Sequence, residues 1–321
     1  MSERPQEAEM IVITGAAGYV GSHITKRLVQ ENKPVRALVH NRKRAEQEGR
    51  LADLDIEWTE ADVTKPETLV PALKDADTVV HTVAIAIEKG NLTYEEINYQ
   101  GTVNILEAAK KNGIRRFINM SQLGADPNLP YRFLASKGKA QHYVANSGMD
   151  WTAFRPSVIW GPEDEFANVF ARLVPFSPII YPIVGDESSK FQPVWVEDVA
   201  TCVARSLNDP DTIGKEYELG GPEVLTLEEI ERRTLKAIGA QRSMVPFPMP
   251  VLRVIVALME ALLPNPPVTR SLLELLAVSN VTEDNAISRF VSDPRAFTAE
   301  NTSAYMQGFT ARETLAKFLG K

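Results

Sequence analysis

The chain has 321 residues, 44% of them hydrophobic, enough for one large domain and a smaller lobe. A formal net charge of −7 argues against nucleic acid as the main partner, because phosphate backbones are gripped by an excess of Lys and Arg. Cys202 is the lone cysteine, which excludes an internal disulfide framework and fits a reducing, cytoplasmic setting.

In chain order, residues 1–9, MSERPQEAE, are polar and read as a disordered tail, neither a secretory signal nor a transit peptide. MIVIT (10–14) predicts a buried strand, and the helix after it puts Val20, Ile24 and Leu28 on one face. VRALV (35–39), IEWTE (56–60), DTVVHTV (77–83), RRFINM (115–120) and DWTAFRP (150–156) predict further strands. Helical patterns lie between them, clearest in TYEEINYQGTVNILEAAKKNG, and two of these helices stop at Gly113 and Gly148, residues suited to the left-handed turn that ends a helix. Such alternation predicts an α/β fold with a parallel, doubly wound sheet. Five prolines between 162 and 193 (Pro162, Pro175, Pro178, Pro182 and Pro193) then predict a loop-rich stretch. VWVEDVATCVARSLND (194–209) predicts a helix and EYELGG (216–221) a late strand, both belonging to the main domain. From 223 the pattern is helical, with PFPMP and LPNPP as breakers. The expected division is therefore 10–160 with 194–222 as the nucleotide-binding domain, and 161–193 with 223–321 as a smaller, mainly helical substrate or partner lobe.

The first βα junction carries the chemistry. ITGAAGYVGSH spaces Gly15, Gly18 and Gly21 after a strand and into a helix. The first makes the tight turn and the second admits a pyrophosphate to the backbone. The third lets helix and strand pack closely, while the helix N-terminus offers N–H groups to the phosphates. The second strand ends in VHNRKR, with no carboxylate between Val35 and Ala45. His40, Arg42, Lys43 and Arg44 cluster there instead, which favours the 2′-phosphate of NADP(H) over NAD(H), the alternative being a solvated basic face. Asp62, in EADVT, is placed either to accept from an adenine amino group or to cap a helix.

TGAAGYVGSH, ADVT, VVHTVA, Asn98 in INYQGTVNILEAA, FINMSQLGA, FRPSVIWGP and VEDVA stand in the order and spacing of one superfamily. Together they resemble the short-chain dehydrogenases/reductases, in the extended and atypical branches that include NAD-dependent epimerases and dehydratases. RRFINMSQLGADPN, FQPVWVEDVA, YELGGP and PNPPVTRSLLELLAVSNV narrow the resemblance to the nucleotide-binding accessory subunit of respiratory complex I and its bacterial relatives. The resemblance implies a Rossmann-type domain with cofactor contacts at Gly15, Ala17, Gly18, Tyr19, Val20, His40, Arg42, Asp62, Val63, Val83, Ala84, Lys137, Pro156 and Val158. It also implies Ser121 and Lys137 as catalytic positions.

In that superfamily a Tyr stands four residues before the Lys, on the same helix face, and its hydroxyl moves the proton. Here that position is Phe133. Tyr131 lies six residues before Lys137, roughly 120° around a helix, and reaches the site only if the helix begins after it. Tyr143, six residues on the other side, has the same problem. Two functions stay open: a dinucleotide-binding or redox-sensing module, and an oxidoreductase or epimerase acting on a hydrophobic or quinone-like substrate.

Other chemistry has little footing. His23, His40, His81 and His142 show no metal spacing, and no G-x-S-x-G elbow is present. Glu163, Asp164 and Glu165 read as solvated loop carboxylates, Trp160 as a pocket wall, and Arg155 and Asp198 as structural. VLRVIVALMEALL (251–263) is too short and too interrupted to span a bilayer. With VTRSLLELLAV (268–278) it predicts a core helix pair, a greasy cavity or a docking face for a membrane complex, in which case the protein is peripheral to a membrane.

Overall fold

The computed structural model describes residues 9–183, 189–276, 278–306 and 309–319. The polar tail expected over 1–9 lies outside them except for Glu9. Two compact units emerge. The first comprises the chain up to Pro156, Glu197–Glu218 and Arg289–Val291; the second comprises Ser157–Val196, Leu219–Ser288 and the chain from Ser292 onward.

The first unit is a seven-stranded sheet with helices between its strands. Its strands are β1 (Ile11–Thr14), β2 (Val35–Val39), β3 (Glu57–Glu60), β4 (Thr78–His81), β5 (Arg116–Met120), β6 (Asp150–Pro156) and β7 (Lys215–Leu219), and their spatial order is β7-β6-β5-β4-β1-β2-β3. Parallel pairing puts Ile11 beside both Val35 and Thr78, and Arg116 beside both Thr78 and Asp150. Helices α1 (Tyr19–Gln30), α2 (Arg42–Glu48), α3 (Pro66–Ala72), α4 (Gly101–Lys111), α5 (Arg132–Ala145) and α6 (Val196–Leu207) belong to the same unit. Because helices cover the sheet, β1 and β4 are buried at every residue and read as continuous rather than alternating apolar runs. Val12, Leu38, Val79 and Phe117 from the sheet meet Leu69, Ile105, Leu106 and Val144 from the helices in one core. Gly113 and Gly148 take φ of 72° and 75° just past α4 and α5, the left-handed stops their positions predict.

The order reverses between β1 and β4, so the carboxyl ends of these two strands open the crevice where such sheets hold ligands. One local surprise lies beside it. The helix expected over 93–113 begins as a π-helix, Glu95–Gln100, before continuing as α4. This form is rare and concentrates at functional sites.

The second unit contains helices Leu227–Ala237, Met249–Leu262, Arg270–Leu276 and Ala311–Phe318, together with short two-stranded pairings. Thr226 and Glu229 close a capping box at the start of the first of these helices. The stretch expected to be loop-rich carries helix Ala167–Leu173 and strands Ile180–Ile183 and Lys190–Phe191. Trp160 is not a pocket wall: it is fully buried, packed on Trp195 at 4.4 Å and Phe297 at 5.3 Å between ring centroids. Asp164 is not solvated either. It is 1% exposed and accepts the backbone N–H groups of Gly161, Phe166 and Asn168, while burial pushes its carboxyl up to about 6.

Helix Met249–Leu262 departs from its expected place in a core pair, since it buries only Leu252 and Val256. Its apolar residues occupy most of its circumference, and a single stripe suffices to attach it. Among the described residues no helix is long and apolar enough to cross a membrane.

Candidate functional site

The glycine turn is built as its spacing predicts. Gly15 has φ 71°, a conformation that side-chain-bearing residues rarely adopt, and its N–H donates to the Leu38 carbonyl at 3.1 Å. A Cβ on Gly21 would lie 2.2 Å from the Gly15 carbonyl oxygen, so α1 can approach β1 this closely only without a side chain there. Gly18 is the N-cap of α1 and offers no side-chain acceptor, and no acidic residue stands in the first turn. The first turn of α1 thus carries no side-chain cap and no negative charge of its own, with Ala17, Tyr19 and Val20 beside it. Thr82, just past β4, donates to the Thr14 carbonyl at 2.8 Å, and Val83 follows it half-buried, with Ala84 exposed next in the chain.

Behind this turn runs a buried polar chain. The Thr14 hydroxyl lies 2.7 Å from His81 Nδ1, and His81 Nε2 lies 3.0 Å from the Thr102 hydroxyl, which donates to the Asn98 carbonyl at 2.7 Å. Because Thr102 spends its proton on Asn98, His81 Nε2 must carry the proton toward Thr102 and Nδ1 must accept from Thr14. Burial lowers the imidazole to about 3, so it is neutral at physiological pH. Asn98 lies in the π-helix, where its side chain accepts from Ile85 N–H at 2.8 Å and donates to Ser136 Oγ at 3.2 Å.

At the carboxyl end of β5 the structure brings Ser121 and Lys137 together. Lys137 Nζ donates to the carbonyl of Met120, the residue before Ser121, at 2.6 Å. The lysine is 7% exposed, and burial lowers its ammonium to about 8. Ser121 Oγ is buried with no hydrogen-bond partner among the described residues. A hydroxyl in that state costs about 1–3 kcal/mol unless a ligand engages it. Leu123 N–H closes the loop onto the Pro156 carbonyl at 2.9 Å.

Helix α5 begins at Arg132, and Tyr131 is its N-cap in extended conformation, φ −81° and ψ 105°. The helical offset of six residues therefore does not apply to Tyr131, which sits half-buried at the helix entrance. Phe133, one turn before Lys137, stacks edge-on against Tyr94 at 5.6 Å. Tyr143 is spent elsewhere, its hydroxyl donating to Glu107 at 3.0 Å.

The end of β2 is less simply basic than its sequence. Exposed His40 lies 3.7 Å from Asp62. Arg42 donates from Nε to Glu46 at 2.8 Å and lies over the Trp58 ring, while its backbone N–H reaches Glu60 at 3.2 Å. Lys43 is exposed, and Arg44 pairs with Glu48. Glu60, at the end of β3, thus brings a carboxylate to a place where the second strand has none. Asp62 caps a turn rather than a helix: its Oδ1 accepts from Thr64 N–H and Oγ1. Burial pushes this carboxyl up, but the Thr64 hydrogen bonds, with His40 and Lys65 nearby, hold it below its ordinary value. Val63 is buried and accepts from Asn104 at 2.8 Å. Arg155 pairs with Glu216 and Glu218 and donates to the Ala125 carbonyl. Val158 belongs to the second unit, where its carbonyl accepts from Val194 N–H at 3.0 Å.

Arg50 was not singled out by sequence reasoning. It follows the left-handed Gly49 that ends α2, and its Nη1 donates to the Ala17 carbonyl inside the glycine turn at 2.8 Å. The only local signal is a basic residue directly after a helix-stopping glycine. Among the described residues no cluster of His, Cys, Asp and Glu is suited to a metal.

A family model described as NAD(P)H-binding matches residues 15–210. The mitochondrial NADH dehydrogenase (ubiquinone) 1 alpha subcomplex subunit 9 of Arabidopsis thaliana is 27% identical over 283 residues, covering 86% of this chain and 70% of its own length. Its Mus musculus counterpart is 27% identical over 244 residues, and the chain spans only 63% of that relative. A 3 beta-hydroxysteroid dehydrogenase/Delta 5-->4-isomerase of Mycobacterium tuberculosis is 25% identical over 321 residues, covering 88% of this chain and 84% of its own. The fold is that of the Thermus thermophilus UDP-glucose 4-epimerase in complex with NAD, with a TM-score of 0.69 at 20% identity over 92% of this chain and 98% of that one. The family match starts at the first glycine of the turn and runs past the last helix of the sheet unit, so the chain belongs to the NAD(P)H-binding family, within the epimerase/dehydratase-like short-chain dehydrogenase/reductase superfamily.

Proposed function

We propose that the chain is an NADP(H)-binding module of the short-chain dehydrogenase/reductase type whose proton-transfer pair is incomplete, and that it serves a larger assembly by binding nucleotide or sensing its redox state. The observation that carries this reading is Phe133, a bare ring one turn before Lys137. The turn of Gly15, Ala17, Gly18, Tyr19 and Val20 would hold the pyrophosphate. His40 and Arg42 would meet the adenosine ribose, and Asp62 and Val63 the adenine. Val83, Ala84, Ser121, Lys137 and Pro156 would border the nicotinamide end. The fit is supported by the Gly15–Gly21 approach, which leaves no room for a Cβ, and by the unpartnered Ser121 hydroxyl. When bound, the cofactor supplies a hydride donor or acceptor. The named relatives among mitochondrial NADH dehydrogenase subunits support a partner-bound role, and the proposal itself keeps this chain cytoplasmic and peripheral to a membrane. Mass spectrometry of protein denatured straight after purification is expected to release NADP(H), and the holoprotein is expected to turn over neither carbonyl nor nucleotide-sugar substrates. Steady NADP-dependent turnover would overturn the reading.

The choice of NADP over NAD rests on the basic cluster and is opposed by Glu60. Arg42→Asp is expected to weaken NADP binding by about tenfold or more while changing NAD binding little, because a phosphate would then face a carboxylate. Equal loss for both in titration calorimetry would move the 2′-phosphate contact elsewhere.

Tyr131 favours a second reading, an oxidoreductase or epimerase acting on a hydrophobic or quinone-like substrate. An extended N-cap frees its side chain from the helical register, and Ser121 and Lys137 are retained. Under this reading Tyr131→Phe lowers kcat by about 10²- to 10⁴-fold on any substrate found. Unchanged turnover eliminates the tyrosine as donor.

A further inference from the structure

Among the described residues sixteen large hydrophobic side chains are exposed, and thirteen of them belong to the second unit. Five stand on helix Met249–Leu262: Val251, Val254, Ile255, Leu258 and Leu262, the last of them 75% exposed. Strand Ser243–Pro246 leads into that helix and adds Val245, and its parallel partner Ile180–Ile183 adds Ile180. Ile179, also exposed, accepts the Ser243 N–H at 3.1 Å. The helix Ala311–Phe318 adds Leu315 and, just past its end, Leu319. Its Phe318 carbonyl accepts from Asn265 N–H at 3.1 Å, and the Phe318 ring lies 6.2 Å from that of exposed Phe176. These links join eleven of the thirteen into one surface. At their fractional exposures they leave roughly 1,000 Å² in water, above the about 300–600 Å² of a typical monomer's largest apolar patch and enough for the about 800 Å² per partner of a stable interface.

The helix itself carries the pattern of a helix-to-helix seam. Val251, Ile255, Leu258 and Leu262 follow at steps of four, three and four, the spacing of a coiled coil. By helical geometry the seam lies roughly 110° round from Leu252 and Val256, which attach the helix, while Arg253 and Glu260 stand on the side away from it. The seam is symmetric about its midpoint. A twofold axis between residues 256 and 257 sets position 251 against 262 and 255 against 258 in antiparallel helices, and brings each helix end beside the oppositely charged end of the other dipole.

Charge sorts the occupants. A helix that lies on a membrane flanks its apolar face with free Lys and Arg. Here Lys236 pairs with Glu300, Arg270 pairs with Glu260, and Arg242 donates to the carbonyls of Ser177 and Gln241. A seam without charge meets its own copy without setting like charges together, even in a chain of net −7.

We propose that this face joins two copies of the chain in an isologous dimer, with the Met249–Leu262 helices antiparallel across the twofold axis and the other apolar residues of the face around them. The dimer goes beyond the function given above and does not depend on which dinucleotide is bound.

The test is sedimentation velocity of the full chain over a concentration series. Wild type is expected to dimerise, and Leu258→Glu with Leu262→Glu to raise the dissociation constant about 100-fold or more. Arg253→Glu, on the far side of the helix, is expected to leave the dimer intact. Val251→Cys with Leu262→Cys is expected to give a disulfide-linked dimer on air oxidation, because the two positions lie about 16 Å apart along one helix and meet only across the axis. Circular dichroism reports the fold of each variant, and if the glutamates disturb it the cross-link decides. Wild type that stays monomeric at every concentration overturns the proposal, as does a dimer unchanged by the glutamates or a cysteine pair that never cross-links. Monomeric wild type that co-sediments with phosphatidylcholine and phosphatidylglycerol vesicles assigns the face to lipid and also overturns it. Loss of NADP binding with the dimer intact strikes the cofactor reading alone.

Discussion

Gly21→Ala is expected to abolish dinucleotide binding at concentrations that saturate the wild type. The added Cβ would lie 2.2 Å from the Gly15 carbonyl oxygen, 2.9 Å from its carbonyl carbon and 2.9 Å from Thr82 Oγ1. The nearest obstacle is backbone and cannot rotate away, so α1 must lift from β1 and carry its N-terminus with it. Displacing such a binding group by an ångström costs about 10²-fold or more. The overpacking itself removes about 1–3 kcal/mol of stability. Gly113→Ala is the control. Its φ of 72° strains an alanine by about 1–2 kcal/mol, but nothing lies within 4 Å of the new Cβ and the residue follows α4. Calorimetric titration with NADP and NAD, beside thermal unfolding, separates the two. Comparable stability losses with binding lost only at Gly21 are expected; wild-type affinity in Gly21→Ala would remove the glycine turn as the pyrophosphate site.

What the sequence made legible is what is local. Gly15, Gly18 and Gly21 impose their conformation through their own missing side chains, and buried strands such as IVIT and TVVH announce themselves as β-branched runs. Gly113 and Gly148 mark their helix ends because only their own φ matters. Ser121 and Lys137 were legible as site positions by resemblance, while the orphaned hydroxyl and the lysine's grip on the Met120 carbonyl were not.

Features set by distant residues stayed hidden. Glu60 reaches the end of β2 only because β3 lies beside it, so a scan from Val35 to Ala45 could not see a carboxylate there. Arg50 meets Ala17 across 33 residues of sequence. Asp164 sits in an acidic run that composition assigns to water, yet three backbone N–H groups hold it in the interior. The helix at 249–262 failed in the opposite sense: hydrophobicity alone predicts burial, and only the packing reveals that one stripe attaches it.

Lys137→Met is expected to raise the melting temperature of the cofactor-free protein at pH 7 and to weaken dinucleotide binding, a pairing that only a group kept for its ligand produces. A buried ammonium is costly unless fully paired, and the Met120 carbonyl is its one hydrogen-bond partner among the described residues. Lowering from 10.5 to about 8 by burial corresponds to roughly 3 kcal/mol, less about 1 kcal/mol for the carbonyl that the substitution leaves without a donor. The sign with pH follows. The folded value lies below the unfolded one, so between pH 8 and 10.5 the unfolded chain holds more protons and the wild type gains stability as pH rises. Below pH 8 the penalty is complete and constant. The advantage of Lys137→Met over wild type should therefore be flat up to about pH 8 and shrink above it, measured as the difference between paired denaturation curves at each pH. With saturating NADP(H) the order should reverse, because ligand bound only to the folded state stabilises the wild type by mass action. An advantage that persists unchanged above pH 10 would place the cost in packing rather than charge and remove Lys137 from the cofactor site's electrostatics.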